Sequence, residues 1–179
     1  MKDELYIFVE GPTDRLFIEN VFGKILRKDY KNYYIVEYAV KDKKKVNNYI
    51  NTINQMKNAD YVFIADQDGN CNKKERTLAK YNKLEKEKVF LSVYEIESWI
   101  IAGISRNFVE KYNLKFNTQN TSNITKEIFK NLVPSKMDEM EFISTILENY
   151  DIKRAVYANE SLRKFRDYLT KKSKREDCF

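Results

Sequence analysis

The sequence predicts an α/β protein, a doubly wound, mainly parallel sheet carrying a helical C-terminal extension. Three observations lead there. Apolar runs alternate with amphipathic stretches of helical period as far as Gly103. The runs Tyr6-Ile7-Phe8-Val9 and Tyr61-Val62-Phe63-Ile64-Ala65 are continuously apolar, which suits strands covered on both faces. Beyond Gly103 the strand-like runs stop and only helical patterns recur.

In chain order, Leu5–Val9 reads as a strand. It is followed by a helix at Thr13–Arg27 with Leu16, Phe17, Val21, Ile25 and Leu26 at helical spacing. Thr13 is placed to cap that helix, with Asp14 near its positive end. Tyr33–Val40 reads as the second strand, with Tyr33, Tyr34 and Tyr38 taken as strand packing. Lys44–Met56 is a helix whose Val46, Ile50, Ile53 and Met56 form one apolar stripe. Asp60–Ala65 is a strand, Lys73–Lys86 a helix, Val89–Tyr94 a strand and Ile96–Gly103 a short helix. Asn113–Asn123 is polar and reads as a loop. Helical patterns resume at Thr125–Leu132, Asp138–Glu148 and Ser161–Leu169. The predicted division is an α/β core over residues 1–103 and a helical extension over 104–179 that packs on it. No internal repeat or low-complexity segment is visible.

Composition removes whole classes of chemistry. The 179 residues include no histidine. Ser-His-Asp and Cys-His catalysis, histidine-ligated zinc and phosphohistidine transfer are therefore excluded. The two cysteines, Cys71 and Cys178, are far apart and give no disulfide framework, so a reducing cytoplasm is expected. No P-loop and no Gly-x-Gly-x-x-Gly after a strand occurs. No run is long enough to span a membrane and no signal peptide is visible. The net charge of +6 favours a polyanionic partner. Basic residues gather at Lys41, Lys43, Lys44 and Lys45, at Lys73, Lys74 and Arg76, and at Arg163, Lys164, Arg166, Lys171, Lys172, Lys174 and Arg175. A solvated helix face explains each run equally well. Lys73, Lys74 and Arg76 differ because they directly follow the main acidic motif, where a phosphodiester would lie.

That motif is Asp66-Gln67-Asp68-Gly69, at the end of the third apolar run. Alternate residues of an extended segment face the same way. Two carboxylates on one side repel unless a proton or cation lies between them. All-oxygen ligands suit Mg²⁺ or Mn²⁺. Alone, such a pair is as readily a turn. The first run, however, ends similarly, in Glu10-Gly11-Pro12-Thr13-Asp14. Sites in open parallel sheets form at the carboxyl ends of strands, so Glu10, Asp66 and Asp68 are expected to meet there. Glu95 and Glu97 open the helix after the fourth strand. For both, an ordinary acidic first turn competes with a role in the site, and Glu97 is favoured for the site. Trp99 reads as core.

The Glu-Gly-x-x-Asp at Glu10–Asp14 together with Asp66-x-Asp68 resembles the Toprim domain, shared by topoisomerases, bacterial primases, OLD-type nucleases and a 5S ribosomal RNA maturase. Glu95-Ile96-Glu97-Ser98-Trp99 is similar to an acidic helix start in small bacterial Toprim-like proteins. The resemblance spans about Leu5–Gly103. It implies a Rossmann-like Toprim fold, with Glu10, Asp66, Asp68 and Glu97 as the catalytic and metal-binding acids for Mg²⁺ or Mn²⁺. Lys73, Lys74 and Arg76 would then bind nucleic acid. The implied activity is phosphodiester hydrolysis of DNA or RNA. The alternative is a non-catalytic or partner-activated regulatory module working with an ATPase subunit. A homodimer is left open. A receiver-like phosphoacceptor domain fits poorly, because Lys88 precedes its strand instead of ending it.

Overall fold

The structure, a computed structural model, describes residues 3–174. Arg175 and Cys178 lie outside the described residues, as do the side chains of Lys171, Lys172 and Lys174. Four parallel strands, β1 (Glu4–Val9), β2 (Asn32–Glu37), β3 (Ala59–Asp66) and β4 (Val89–Ser92), form one sheet in the order β2-β1-β3-β4. The crossovers carry α1 (Pro12–Asp29), α2 (Lys43–Gln55) and α3 (Lys73–Lys80). Six further helices follow: α4 (Glu97–Ala102), α5 (Arg106–Lys111), α6 (Lys126–Leu132), α7 (Glu139–Glu148), α8 (Ile152–Ala158) and α9 (Glu160–Lys174). This is the expected α/β, Rossmann-like architecture.

The two-residue period of the strands sorts the core into two layers. Leu5, Ile7 and Val9 of β1 and Val62 and Ile64 of β3 join the buried faces of α1, α4 and α6–α9. Phe8, Tyr61, Phe63 and Ala65 pack on the opposite side with Val46, Ile50 and Ile53 of α2, and with Tyr81. Phe8 stacks on its register partner Phe63, with ring centroids 5.9 Å apart. Helices on both faces explain why the β1 and β3 runs have no polar alternation.

Several boundaries differ from those the sequence suggests. Helix α1 starts at Pro12 with Gly11 as its cap residue, so Thr13 lies inside the first turn and Asp14 takes the capping role. Regular pairing of β2 ends at Glu37, and Val40 is 79% exposed. Helix α3 stops at Lys80. Tyr81 turns inward against Phe63 and Tyr38, and the Tyr61 hydroxyl receives the Glu85 N–H at 2.8 Å. A single 3-10 turn at Lys86–Lys88 then leads into β4. Helices α5 and α8 were not expected. Each is short, but each has a side-chain cap, Ser105 accepting from Phe108 N–H and Asp151 from Arg154 N–H. Among the described residues, no helix is long and apolar enough to cross a membrane.

Helix α4 is fastened to the later chain by a buried polar network. Thr121 Oγ1 donates to the Ser98 carbonyl at 3.0 Å, and Asn159 Nδ2 donates to Thr121 Oγ1 at 3.2 Å. Trp99 Nε1 donates to Ser161 Oγ at 2.7 Å, and Ser161 Oγ donates to Asn159 Oδ1 at 2.8 Å. The Tyr150 hydroxyl donates to the Trp99 carbonyl at 2.6 Å. Its ring lies against Gly103, where an added Cβ would come within 2.4 Å of it. The Asp151 N–H also donates to the Gly103 carbonyl at 2.9 Å. We therefore expect Gly103→Ala to overpack this joint and cost about 1–3 kcal/mol in a denaturant melt. An unchanged midpoint would show that the Tyr150 ring yields freely.

Candidate active site

Strands β1 and β3 lie side by side. From them the chain leaves in opposite directions, β1 to β2 and β3 to β4. Their carboxyl ends thus flank the topological switch point, where open α/β sheets bind ligands. Glu10 directly follows β1 and Asp66 ends β3. Past β2, Tyr38 N–H donates to Val9 O at 2.9 Å and Ala39 N–H to Glu10 O at 3.3 Å, so the main chain beside Glu10 is held on that side. The buried Tyr38 ring stacks on Phe63, with centroids 4.4 Å apart, and its hydroxyl donates to Glu10 Oε2 at 3.4 Å. Ser92 closes β4 opposite Asp66 in register and donates its Oγ–H to Asp66 Oδ1 at 2.6 Å.

Asp14 and Glu97 are buried among these groups. Asp14 Oδ2 accepts the Gly11 N–H at 3.2 Å, but Oδ1 is buried without a hydrogen-bond partner. Burial pushes the Asp14 carboxyl up from 3.8 to about 7, and the charges of Glu10 and Glu97 add to the rise. Asp66 rises to about 8, again chiefly by burial, against the lowering effect of the Ser92 hydrogen bond; Asp14, Glu10 and Glu97 push it further up. Glu97 is raised by burial and lowered by Lys126 of α6, whose ammonium stands 4.0 Å from Glu97 Oε1. Four carboxylates, Glu10, Asp14, Asp66 and Glu97, therefore sense one another at one end of the sheet.

Asp68 is placed differently. Strand β3 ends at Asp66, so strand alternation does not orient Asp68. Asp68 and Gly69 both have positive φ, 52° and 66°, at the centre of a tight turn closed by Asn70 N–H to Gln67 O at 2.9 Å. The Asp68 side chain is more than half exposed and is ion-paired with Lys73. Lys74 donates to the Val89 carbonyl at 2.8 Å, which commits it to the edge of β4, while Arg76 is exposed. Glu95 accepts the Lys126 N–H at 2.6 Å and so serves α6. Reading the sequence underrated Asp14, whose place in the first turn looked like ordinary capping. It gave no weight to Ser92 as a partner of Asp66, although Ser92 ends its own strand. Among the described residues, no three acidic or thiol side chains are close enough to form a ready-made metal cage.

Residues 4–68 match the family described as "Overcoming lysogenization defect protein-like, TOPRIM domain". The match opens with β1 and closes at Asp68, so it holds Glu10, Asp14, Asp66 and Asp68, while Glu97 and everything after Asp68 lie beyond it. Over this stretch the chain resembles the Toprim domain of OLD-type proteins. No curated protein and no solved structure matches it. Toprim domains generally bind divalent metals and are nucleic-acid-related modules.

The donors present are of the chemistry such a cation takes, although among the described residues no three of them are gathered into a cage. They are carboxylate oxygens, one of them orphaned, whose mutual repulsion a hard divalent ion would relieve. A pH test follows. From about 3.8 to about 8 the folded chain retains a proton on Asp66 that the unfolded chain has lost. Folding therefore costs more as pH rises through that window. In chelator-treated protein, the stability advantage of Asp66→Asn over wild type should grow steadily across it, read from urea midpoints. A constant difference would show that Asp66 is ionised throughout.

Proposed function

We propose that this protein is a metal-dependent nuclease that hydrolyses phosphodiester bonds of DNA or RNA at the carboxyl edge of its sheet. The observation that carries the reading is the crowding of Glu10, Asp14, Asp66 and Glu97 there, with Asp14 Oδ1 left unpartnered. In this reading Glu10, Asp66, Asp68 and Glu97 hold Mg²⁺ or Mn²⁺, with Asp14 beside them. The bound ion would supply Lewis acidity toward the phosphate and acidify a water. Ser92 orients the Asp66 carboxylate by its hydrogen bond, and Tyr38 does the same for Glu10. Glu10, within reach of a bulk-exposed edge, is the proton acceptor or donor at its carboxylate. Lys73 would leave Asp68 for a phosphate, and Arg76 would add a second phosphate contact. Lys74, assigned to the same group from sequence, supports the β4 edge in this scheme. Residues 1–103 would form the catalytic unit, with the helices of 104–179 as a cover. A cytoplasmic location goes with the same reading.

A second reading is favoured by one specific observation. Asp68 is tied to Lys73, and no three acids are gathered into a cage. The site would then be completed only with a partner, such as an ATPase subunit, or would serve as a nucleic-acid-binding module.

Incubation with labelled single- and double-stranded DNA and RNA, with Mg²⁺ or Mn²⁺, tests the first reading. We expect cleavage that Asp66→Ala lowers at least about a hundredfold. Loss of an outer-shell partner alone typically costs 10–100-fold, and Ser92→Ala should fall in that range. Either ion should also raise the melting temperature of the wild type, since binding to the native state alone is stabilising. Absence of cleavage together with an unchanged melt would overturn the nuclease reading.

A further inference from the structure

Strand β2 is an edge of the sheet, and on the α2 side its Tyr34 is not covered. Tyr34 is 43% exposed and stacks on Tyr6 with centroids 4.9 Å apart. Tyr49 of α2 is 46% exposed and meets Tyr6 and Phe8 edgewise, each at 6.0 Å. An open cavity of about 530 Å³ is lined among others by Tyr6, Lys41, Lys45, Asn48, Tyr49 and Thr52, and Tyr34 adjoins it through its stack on Tyr6. No carboxylate lines it. Lys43 and Lys44 are also exposed at this end of α2. The ion pair of Asp42 with Lys45, at 3.8 Å, is largely exposed on both sides and holds Lys45 weakly, while Glu4 accepts the Tyr6 hydroxyl at 3.0 Å.

We propose that this groove is a track for single-stranded nucleic acid, with phosphates against Lys41 and Lys45 and bases stacked on Tyr34 and Tyr49. Lysine beside exposed aromatic rings is the chemistry that grips a flexible strand, because every base offers a π-face and every link a charge. A duplex keeps its base faces within the stack and cannot use the rings. Lys41, at one end of the groove, is bonded to the same turn that holds Glu10. Lys41 N–H donates to the Tyr38 carbonyl at 3.1 Å, and the Tyr38 hydroxyl reaches Glu10. Taking the strand as substrate rests on the nuclease reading; binding in the groove does not.

The test is fluorescence anisotropy of labelled oligo(dT) and oligo(rU), about a dozen nucleotides long to cover one site, and of a matching duplex, with EDTA present. Wild type should bind the single strands several-fold more tightly than the duplex. Tyr34→Ala/Tyr49→Ala should weaken single-strand binding at least about fivefold, the low end for loss of even one stacked base, and leave duplex binding unchanged. Tyr34→Phe/Tyr49→Phe should restore it. Lys41→Ala/Lys45→Ala should flatten the salt slope by up to about 0.7 per lost contact. Should the double alanine variant unfold, Tyr34→Ala alone, at an exposed position, carries the same comparison. Equal binding of strand and duplex, tyrosine variants that bind like wild type, or no binding at all would overturn the proposal, the last pointing to a protein partner for this face. Intact groove binding in a wild type that cuts nothing would instead sink the nuclease reading and leave this one standing.

Discussion

Strand β1 is dry over most of its length, with only Glu4 and Tyr6 partly exposed. It is hydrogen-bonded to β2 and β3 along both edges, and Leu5, Ile7, Phe8 and Val9 are fully buried between the two helical layers. A backbone in that position must pair every polar group with a neighbouring strand or terminate. It terminates at Glu10, where the sheet first reaches solvent. The constraint that makes the centre of the protein dry thus also fixes where the first charge can appear. Since β3 is its partner across the switch point, Asp66 emerges at the same level.

The electrostatics of the edge follow from that dryness. Asp14 and Glu97 are buried beside Glu10 and Asp66, and the protein offers them little positive charge in return. Ser92 and Tyr38 are neutral donors that fix orientation without cancelling charge. The cation that lowers Glu97, Lys126, stands at 4.0 Å. Asp14 and Asp66 are pushed up to about 7 and about 8, chiefly by their burial, and the neighbouring carboxylates add to the rise. For stability alone, apolar residues would serve better in these places.

Much of this could be read directly from residue order. Continuous apolar runs ending in acids marked β1 and β3, and the stripe of Val46, Ile50 and Ile53 marked α2, because burial on two faces and helical period leave plain patterns. What escaped depended on tertiary context or on backbone conformation. Asp14 has the local signature of a capping acid, and only the tertiary fold turns it into a buried one. Asp68 follows the alternation rule on paper, yet the strand stops two residues earlier and an Asp-Gly turn redirects it. Tyr34 alternates as a strand residue should, but β2 is an edge, which strand order alone reveals. Helices α5 and α8 are too short for periodicity to register and show themselves only through Ser105 and Asp151.

The polar network around α4 bears on how the protein is made. Glu97 sits on a helix whose neighbouring carbonyls and indole N–H are satisfied by Thr121, Tyr150, Asn159 and Ser161. During synthesis, β1 to β4 leave the ribosome well before any of these partners exist. The nascent chain can therefore assemble its sheet early, with α4 packed on α1 through Phe17 and Trp99, but the hydrogen bonds that fasten α4 wait for Thr121, Tyr150, Asn159 and Ser161. The polar network around α4 is completed only once Asn159 and Ser161 have been made, so a shorter nascent chain carries the strands of the site without its final geometry.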